Sequence, residues 1–307
     1  MNRLEFPANG RVTVVLPVYN RAYSVGDALH SVLDQSAADR CDIVVVDDGS
    51  SDGTPGVLRS YGDRIRVIRQ ENAGVSAARN AAIRACPNEF TAFLDSDDRW
   101  EPRTVELQLD AFQRFPEAVL VTGRSQYRDS SGGMGTLAMP DVPLDRPFDL
   151  APYLFERCII QTPAVMVCGR AFRRSGLFRP ELRNCGDHEL WVRVACEGPS
   201  VYLPQTLLTY SRDDRERLTG SVERAFTAEI RARRHMHRLL RNRPDCRTYW
   251  RRGLAEALRI LRDHAYRTGC YPAAARYGFH SLMIQPNSRA RWEWRKTGAA
   301  LLRGVFR

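Results

Sequence analysis

Three short runs of β-branched and apolar residues each break off into a cluster of Asn or Asp. Val12–Leu16 leads through Pro17 to Asn20, Ile43–Val46 leads into Asp47 and Asp48, and Phe90–Leu94 leads into Asp95, Asp97 and Asp98. A run that is apolar at every position is buried on both faces, as parallel strands covered by helices are. Between the runs, apolar residues recur at helical spacing. Val25, Ala28, Leu29, Val32 and Leu33 form one such set, the Ala-rich stretch from Gly74 to Ala85 a second, and a third starts at Pro102 and runs to about Phe115. Ile65–Ile68 and Ala118–Thr122 add two more strands. This alternation predicts an α/β fold: a Rossmann-like, mostly parallel sheet flanked by helices on both faces. Ligands of such sheets sit beyond the carboxyl ends of the strands. The polar clusters fall there.

Two acidic clusters at strand ends of one sheet repel one another, and each raises the pKa of its neighbours unless something positive joins them. A divalent cation carrying a diphosphate resolves the conflict, and hard carboxylate and phosphate oxygens suit Mg²⁺ or Mn²⁺. The plainer reading is that Asp-rich strand ends are turns and helix caps. Two clusters at corresponding strand ends favour the site.

Four blocks carry a resemblance: VTVVLPVYN at 12–20, VDDGSSDGT at 46–54, ENAGVSAARN at 71–80 and FLDSDD at 93–98. Their order and content resemble the family-2 glycosyltransferases of the GT-A fold. A weaker fifth block, NCGDHELWVR at 184–193, resembles that family's acid-containing motif ahead of an amphipathic helix, so the likeness runs to about residue 215. The resemblance implies a metal-dependent, inverting, hexosyltransferase-like enzyme using a nucleotide-diphosphate-sugar, with UDP-sugars favoured. It implies that Pro17, Tyr19 and Asn20 line the nucleotide pocket, that Asp48 meets the base with Asp47 beside it, and that Asn72, Arg79 and Asn80 lie near the nucleotide. Asp95 would face the ribose, Asp97 would ligate Mg²⁺ or Mn²⁺ with Asp98 in support, and Asp187 would be the general base. The chemistry agrees. A nucleoside diphosphate leaves as an anion, which a cation stabilises, and an acceptor hydroxyl needs one base within hydrogen-bond reach.

Two departures from the family pattern stand out. Gly186-Asp187 occupies a place where the family often has Glu-Asp, so a supporting acid is missing. YSRDDRER at 210–217 stands where relatives often carry Tyr-Arg-x-His, leaving Arg212, Arg215 or Arg217 as diphosphate partners, or a solvated charged loop. Asp187 also reads as an N-cap of a helix over Leu190–Ala195. His188 reads as a residue of that helix's surface and Trp191 as core. A chain that binds nucleotide-sugar without turnover, as a scaffold, is the alternative. A dinucleotide-dependent dehydrogenase is disfavoured, because no G-x-G-x-x-G follows the first strand.

Charge divides the chain. Up to Val222 there are 26 Arg against 30 acids, whereas Glu223–Arg307 holds 20 Arg and Lys against 6 acids, so the formal excess of +10 comes from the last part. We therefore expect a GT-A domain over 1–222 and a basic helical region over 223–307. Trp250, Leu254, Ala257, Leu258, Leu261 and Ala265 form one helical stripe, with Arg252, Arg259 and Arg262 elsewhere on the surface. Gly269–Tyr271, Ala274, Leu282 and Pro286-Asn287 resemble the second helix of a single tetratricopeptide unit, which signals a helical hairpin. The basic region reads as a helical cap with a solvated Arg face, as a surface docking on anionic lipid, with Trp292, Trp294 and the apolar residues near Phe306 at the interface, or as a binder of protein or nucleic acid. No RNA-binding signature accompanies the charge, so nucleic acid is not an expected partner. The expected acceptor is a growing glycan or its lipid carrier. Eight scattered Cys without C-x-x-C spacing, no apolar leader and no long apolar run predict a cytoplasmic protein, peripheral at most on a membrane.

Overall fold

The computed structural model describes residues 5–129, 131–212 and 222–285. They group into two units. One runs to Leu150 and resumes from Ile159 to the end of the long strand at Arg212; the other takes Ala151–Cys158 with the helices from Val222 onward.

The first unit is a mixed sheet flanked by helices. β1 (Val12–Val18) pairs in parallel with β2 (Cys41–Asp47) on one side and β4 (Phe90–Phe93) on the other, and β3 (Arg66–Arg69) extends the β2 side. All seven residues of β1 are buried, as its uninterrupted apolar run requires. The helices between them are α1 (Val25–Leu33), α2 (Thr54–Arg59) and α3 (Val75–Ala85). Val25, Ala28, Leu29 and Val32 of α1 have no exposed surface and join the β1 side chains in one core. Each such fully buried Val or Leu contributes about 2 kcal/mol.

Beyond β4 the order departs from simple alternation. After β5 (Arg99–Trp100), α4 (Thr104–Arg114), β6 (Leu120–Asp129), β7 (Met134–Thr136) and β8 (Pro147–Phe148), the chain inserts β9 (Met166–Cys168) between β4 and β6, antiparallel to both. α6 (Gly169–Ser175) and α7 (Gly186–Ala195) follow, and β10 (Ser200–Arg212) then runs parallel to β6. The order is β3-β2-β1-β4-β9-β6-β10-β5, with β7 on β6 and β8 on β10. Six of these ten strands among the described residues point one way, which keeps the sheet mostly parallel. The β10 register slips on both sides of Thr206, next to Pro204. Proline has no N–H for the ladder, and a bulge accommodates that loss. The segment from Ser131 to Thr136 folds back on β6 as a hairpin. Asp129 Oδ1 accepts from the Ser131 and Gly133 amides at 2.9 and 2.8 Å, and Met134–Thr136 pairs with β6.

The second unit holds α5 (Ala151–Glu156), α8 (Val222–Met236), α9 (Arg247–Arg267) and α10 (Tyr271–Ile284). α9 and α10 form the expected hairpin, with Ser281 Oγ donating to the Ala255 carbonyl at 3.0 Å. Pro286-Asn287 lies outside the described residues. Arg233 donates to the Phe155 and Glu156 carbonyls at the end of α5, at 2.6 and 2.7 Å, satisfying acceptors that a helix leaves open. Of the stripe, Ala257, Leu258, Leu261 and Ala265 are buried. Arg262 is not on the surface: only 2% of it is exposed, and it bonds Asp263. Its charge is paired with that carboxylate, whose side chain reaches the surface, a pairing that the spacing alone does not reveal. No described helix is long and apolar enough to cross a membrane. None of the eight cysteines forms a disulfide.

Candidate active site

The ends of β1 and β2 make the first wall. Pro17 is buried within β1, opposite Val46, while Tyr19 just beyond the strand is exposed. Asn20 turns the chain in a left-handed conformation, φ 52°, which Asn tolerates better than most residues. Its amide donates to Ser50 Oγ at 2.9 Å and its Oδ1 accepts from the Ser51 amide at 2.8 Å. Asp47 is buried, accepting from the Ser50 amide at 2.8 Å, with Arg69 3.7 Å away. Asp48 is buried too. It accepts from Gln70 Nε2 at 2.7 Å, the Ala73 amide at 2.9 Å and the Gly74 amide at 2.8 Å. These bonds shape the 70–74 loop. Gly49, at φ 85°, lets that loop approach: a Cβ there would stand 3.1 Å from the Asn72 amide nitrogen. Asn72 itself is exposed.

α3 starts where that loop ends. Arg79, buried in α3, donates to Asp95 Oδ1 at 2.7 Å and lies over the Phe178 ring at 5.3 Å. Asn80 uses both ends of its amide on the Phe178 backbone, at 2.9 and 3.0 Å. The segment ahead of α7 is thereby pinned to α3.

The turn after β4 gathers three carboxylates. Asp95 is half-buried on Arg79, and Asp97 is exposed with Arg21 Nε 3.8 Å away. Asp98 is buried and accepts from the Ser211 amide at 3.1 Å. Burial first, then the charges of Asp95 and Asp97, push the Asp98 carboxyl well above the usual range. Asp95 and Asp97 face Arg79 and Arg21, and the crowding that raises Asp98 is what a cation at this turn would relieve. Among the described residues no three His, Cys, Asp or Glu side chains converge on one point. A cation held through Asp97 would take its other ligands from a diphosphate and water, as Mg²⁺ does.

α7 supplies the remaining carboxylate. Cys185, left-handed at φ 59°, is the N-cap, so Asp187 lies inside the first turn and is not the cap. Asp187 is half-buried. Its Oδ2 accepts from Thr162 Oγ1 at 3.0 Å and its Oδ1 from the His188 amide at 2.8 Å. Trp191 Nε1 donates to Thr162 Oγ1 at 3.2 Å, which leaves the hydroxyl proton for Asp187. Trp191 is wholly buried against Phe93 and Phe178. His188 is only 3% exposed and is not a surface residue, because α7 is covered on nearly every side. A Cβ on Gly186 would come within 3.0 Å of Ser76 Oγ on α3. Ser76 crowds the position where a supporting acid would begin.

α3 and the turn entering it therefore bond two of the acidic places and abut the start of α7, which carries the third. The turn entering α3 binds Asp48 through Gly74, Ser76 abuts Gly186, and Arg79 holds Asp95. The sequence reading missed Thr162 and the buried cluster of Glu189 with Arg179 and Arg193. Glu189 accepts from Arg179 Nε at 3.0 Å and from Arg193 Nη2 at 2.7 Å. The Glu189–Arg193 spacing of four was the legible signal; nothing local marks Thr162. Arg212 closes β10, whereas Arg215 and Arg217 lie outside the described residues.

Residues 13–178 match the family model described as glycosyl transferase family 2. TuaG of Bacillus subtilis, provisionally assigned to teichuronic acid biosynthesis, is 37% identical over 201 residues, 62% of this chain and 74% of that protein. An uncharacterized glycosyltransferase of Rickettsia felis is 30% identical over 207 residues, 66% of this chain. The chain spans about a third, 34%, of that relative's length. The crystal structure of S. aureus TarS 1–349 in complex with UDP-GlcNAc superimposes with a TM-score of 0.71 at 15% identity, covering 96% of this chain and 88% of that one. At that identity the likeness shows the fold, which is the GT-A arrangement expected from the sequence.

Proposed function

The chain belongs to glycosyl transferase family 2, and from that premise we propose that it moves one sugar from a nucleotide-diphosphate-sugar to a hydroxyl acceptor with inversion. The observation that supports this most is the α3 arrangement: both strand-end acid clusters bond to α3 or the turn entering it, and Ser76 of α3 abuts Gly186, beside Asp187 at the start of α7. In this reading Pro17, Tyr19, Asn20, Asp47, Asp48, Asn72, Arg79 and Asn80 form the nucleotide side, with Asp95 toward the ribose. Asp97, supported by Asp98, holds Mg²⁺ or Mn²⁺. When bound, that cation supplies positive charge for a leaving diphosphate. Asp187 accepts the proton of the acceptor hydroxyl as its oxygen attacks the anomeric carbon and the bond to the diphosphate breaks. Thr162 aims the base. One displacement with one base needs no covalent intermediate and inverts the centre.

The UDP-GlcNAc bound by TarS makes a UDP-sugar the first donor to test. The teichuronic acid assignment of TuaG suggests an acceptor that is a surface glycan or its lipid carrier. The excess positive charge after Glu223 suits the anionic inner face of a membrane.

The test is a thermal-shift panel of UDP, GDP, dTDP, CDP and ADP, each with and without Mn²⁺, on wild type and Asp97→Ala. A ligand at about 100 times its Kd adds about 2.7 kcal/mol of stability. One metal-dependent shift, lost in Asp97→Ala, is expected. A flat panel on folded protein refutes the donor site. Donor binding without turnover, unchanged by Asp187→Asn, would favour a scaffold that binds nucleotide-sugar.

A further inference from the structure

The second unit contains a groove of about 480 Å³ between α8, α9 and the end of α10. That is the size of a small-molecule site. Ile230, Trp250 and Leu254 give it an apolar floor, Met283 stands at its mouth, and Arg234 and His237 line its exposed edge. His280 also lines it, and no carboxylate does among the described residues. The Arg233 guanidinium is already committed to the Phe155 and Glu156 carbonyls and to Glu229. Arg234 is exposed. Met283 is 68% exposed, although a long thioether at the mouth of an apolar groove gains by being covered.

We propose that this groove takes an acyl chain of an anionic membrane phospholipid, with the lipid headgroup on Arg234 and the imidazole N–H groups of His237 and His280. The charge of the alternatives decides the occupant. Residues 286–307 of this chain carry six Arg and Lys against one Glu, the same sign as the rim. A second copy would bring a helical unit with 14 Arg against 5 acids between residues 222 and 285. Either would set positive charge against Arg234. A phospholipid with a negative headgroup fills the apolar floor and neutralises the edge together. This deepens the membrane reading proposed above and depends on it.

The test uses the full chain and vesicles of phosphatidylglycerol or phosphatidylcholine with bromine on the acyl chains, which quenches tryptophan on contact. Wild type is expected to partition onto phosphatidylglycerol at least fivefold better than onto phosphatidylcholine. Part of its quenching should vanish in Trp250→Phe. Arg234→Glu and the groove-filling Leu254→Trp should each cut partition at least fivefold, with circular dichroism unchanged. Inorganic phosphate at millimolar concentration should not restore or displace binding. Partition that persists in both variants, with quenching equal in wild type and Trp250→Phe, overturns the groove and leaves the membrane reading standing. No partition onto either vesicle overturns both, and leaves donor binding, measured in solution, untouched.

Discussion

Glu189 holds a buried ion pair on the helix that carries the candidate base. It is 1% exposed and takes charge-assisted bonds from Arg193, which is 7% exposed, and from the half-buried Arg179. Glu189→Gln keeps the shape and removes the charge. It leaves the Arg193 guanidinium buried without a counter-charge, with the Gln amide oxygen and the Ser175 and Leu177 carbonyls as its acceptors. Leaving one member of a buried ion pair uncompensated costs about 3–5 kcal/mol. These neutral acceptors solvate part of the charge, so we place the loss near the lower figure, about 3 kcal/mol. Arg179→Ala removes the half-buried partner, and solvent screening limits its effect to about 1 kcal/mol or less. Urea denaturation of the two variants and wild type measures the difference. In a chain region of this size, about 3 kcal/mol lowers Tm by about 6–12 °C. Because Asp187 lies two residues earlier on the same helix, turnover should fall as well. A Glu189→Gln loss under about 1 kcal/mol, or an Arg179→Ala loss equal to it, would show that burial does not set the energetics of this cluster.

Three more outcomes follow from the same geometry. Thr162→Val should lower kcat at least tenfold with the donor KM unchanged, and Thr162→Ser should restore it; equal falls in both variants would refute the aiming role. Burial, reinforced by Asp42 and Asp39, pushes the Cys41 thiol up to about 12, so between pH 9 and 12 it keeps its proton while an unfolded chain loses its own. Stability should fall as pH rises through that window, and iodoacetamide at pH 8 should label the exposed Cys158 and Cys270 well before Cys41, as peptide mapping would show. Gly253→Ala would press a methyl group onto the Glu156 carbonyl and the Arg233 guanidinium, costing the helical unit about 1–3 kcal/mol by circular-dichroism melting.

The half of the sheet built from β1, β2 and β4 was legible because each strand is a closed apolar run ending in polar residues, a purely local signal. β5 and β9 were not, since two or three residues carry no periodicity and their pairing is set by distant partners. The strand-end carboxylates could be read because the strands could. Asp187 needed the resemblance, and its surroundings needed coordinates: Thr162 reaches it across 25 residues and Ser76 meets Gly186 across more than a hundred. His188 and Arg262 were misjudged for one reason. Polar residues in a helix read as solvent-facing unless their buried partners are known, and those partners come from packing.

The three attachments of α3 also make it a gauge of length. Each residue of an α-helix advances the chain about 1.5 Å and turns it about 100°. Adding or removing one residue between Gly74 and Arg79 would therefore swing Arg79 away from Asp95 while Gly74 stayed on Asp48. A loop can absorb an added or lost residue by changing its path. The six-residue interval from Gly74 to Arg79 cannot, so an insertion there should uncouple the two acid clusters even where every side chain is kept.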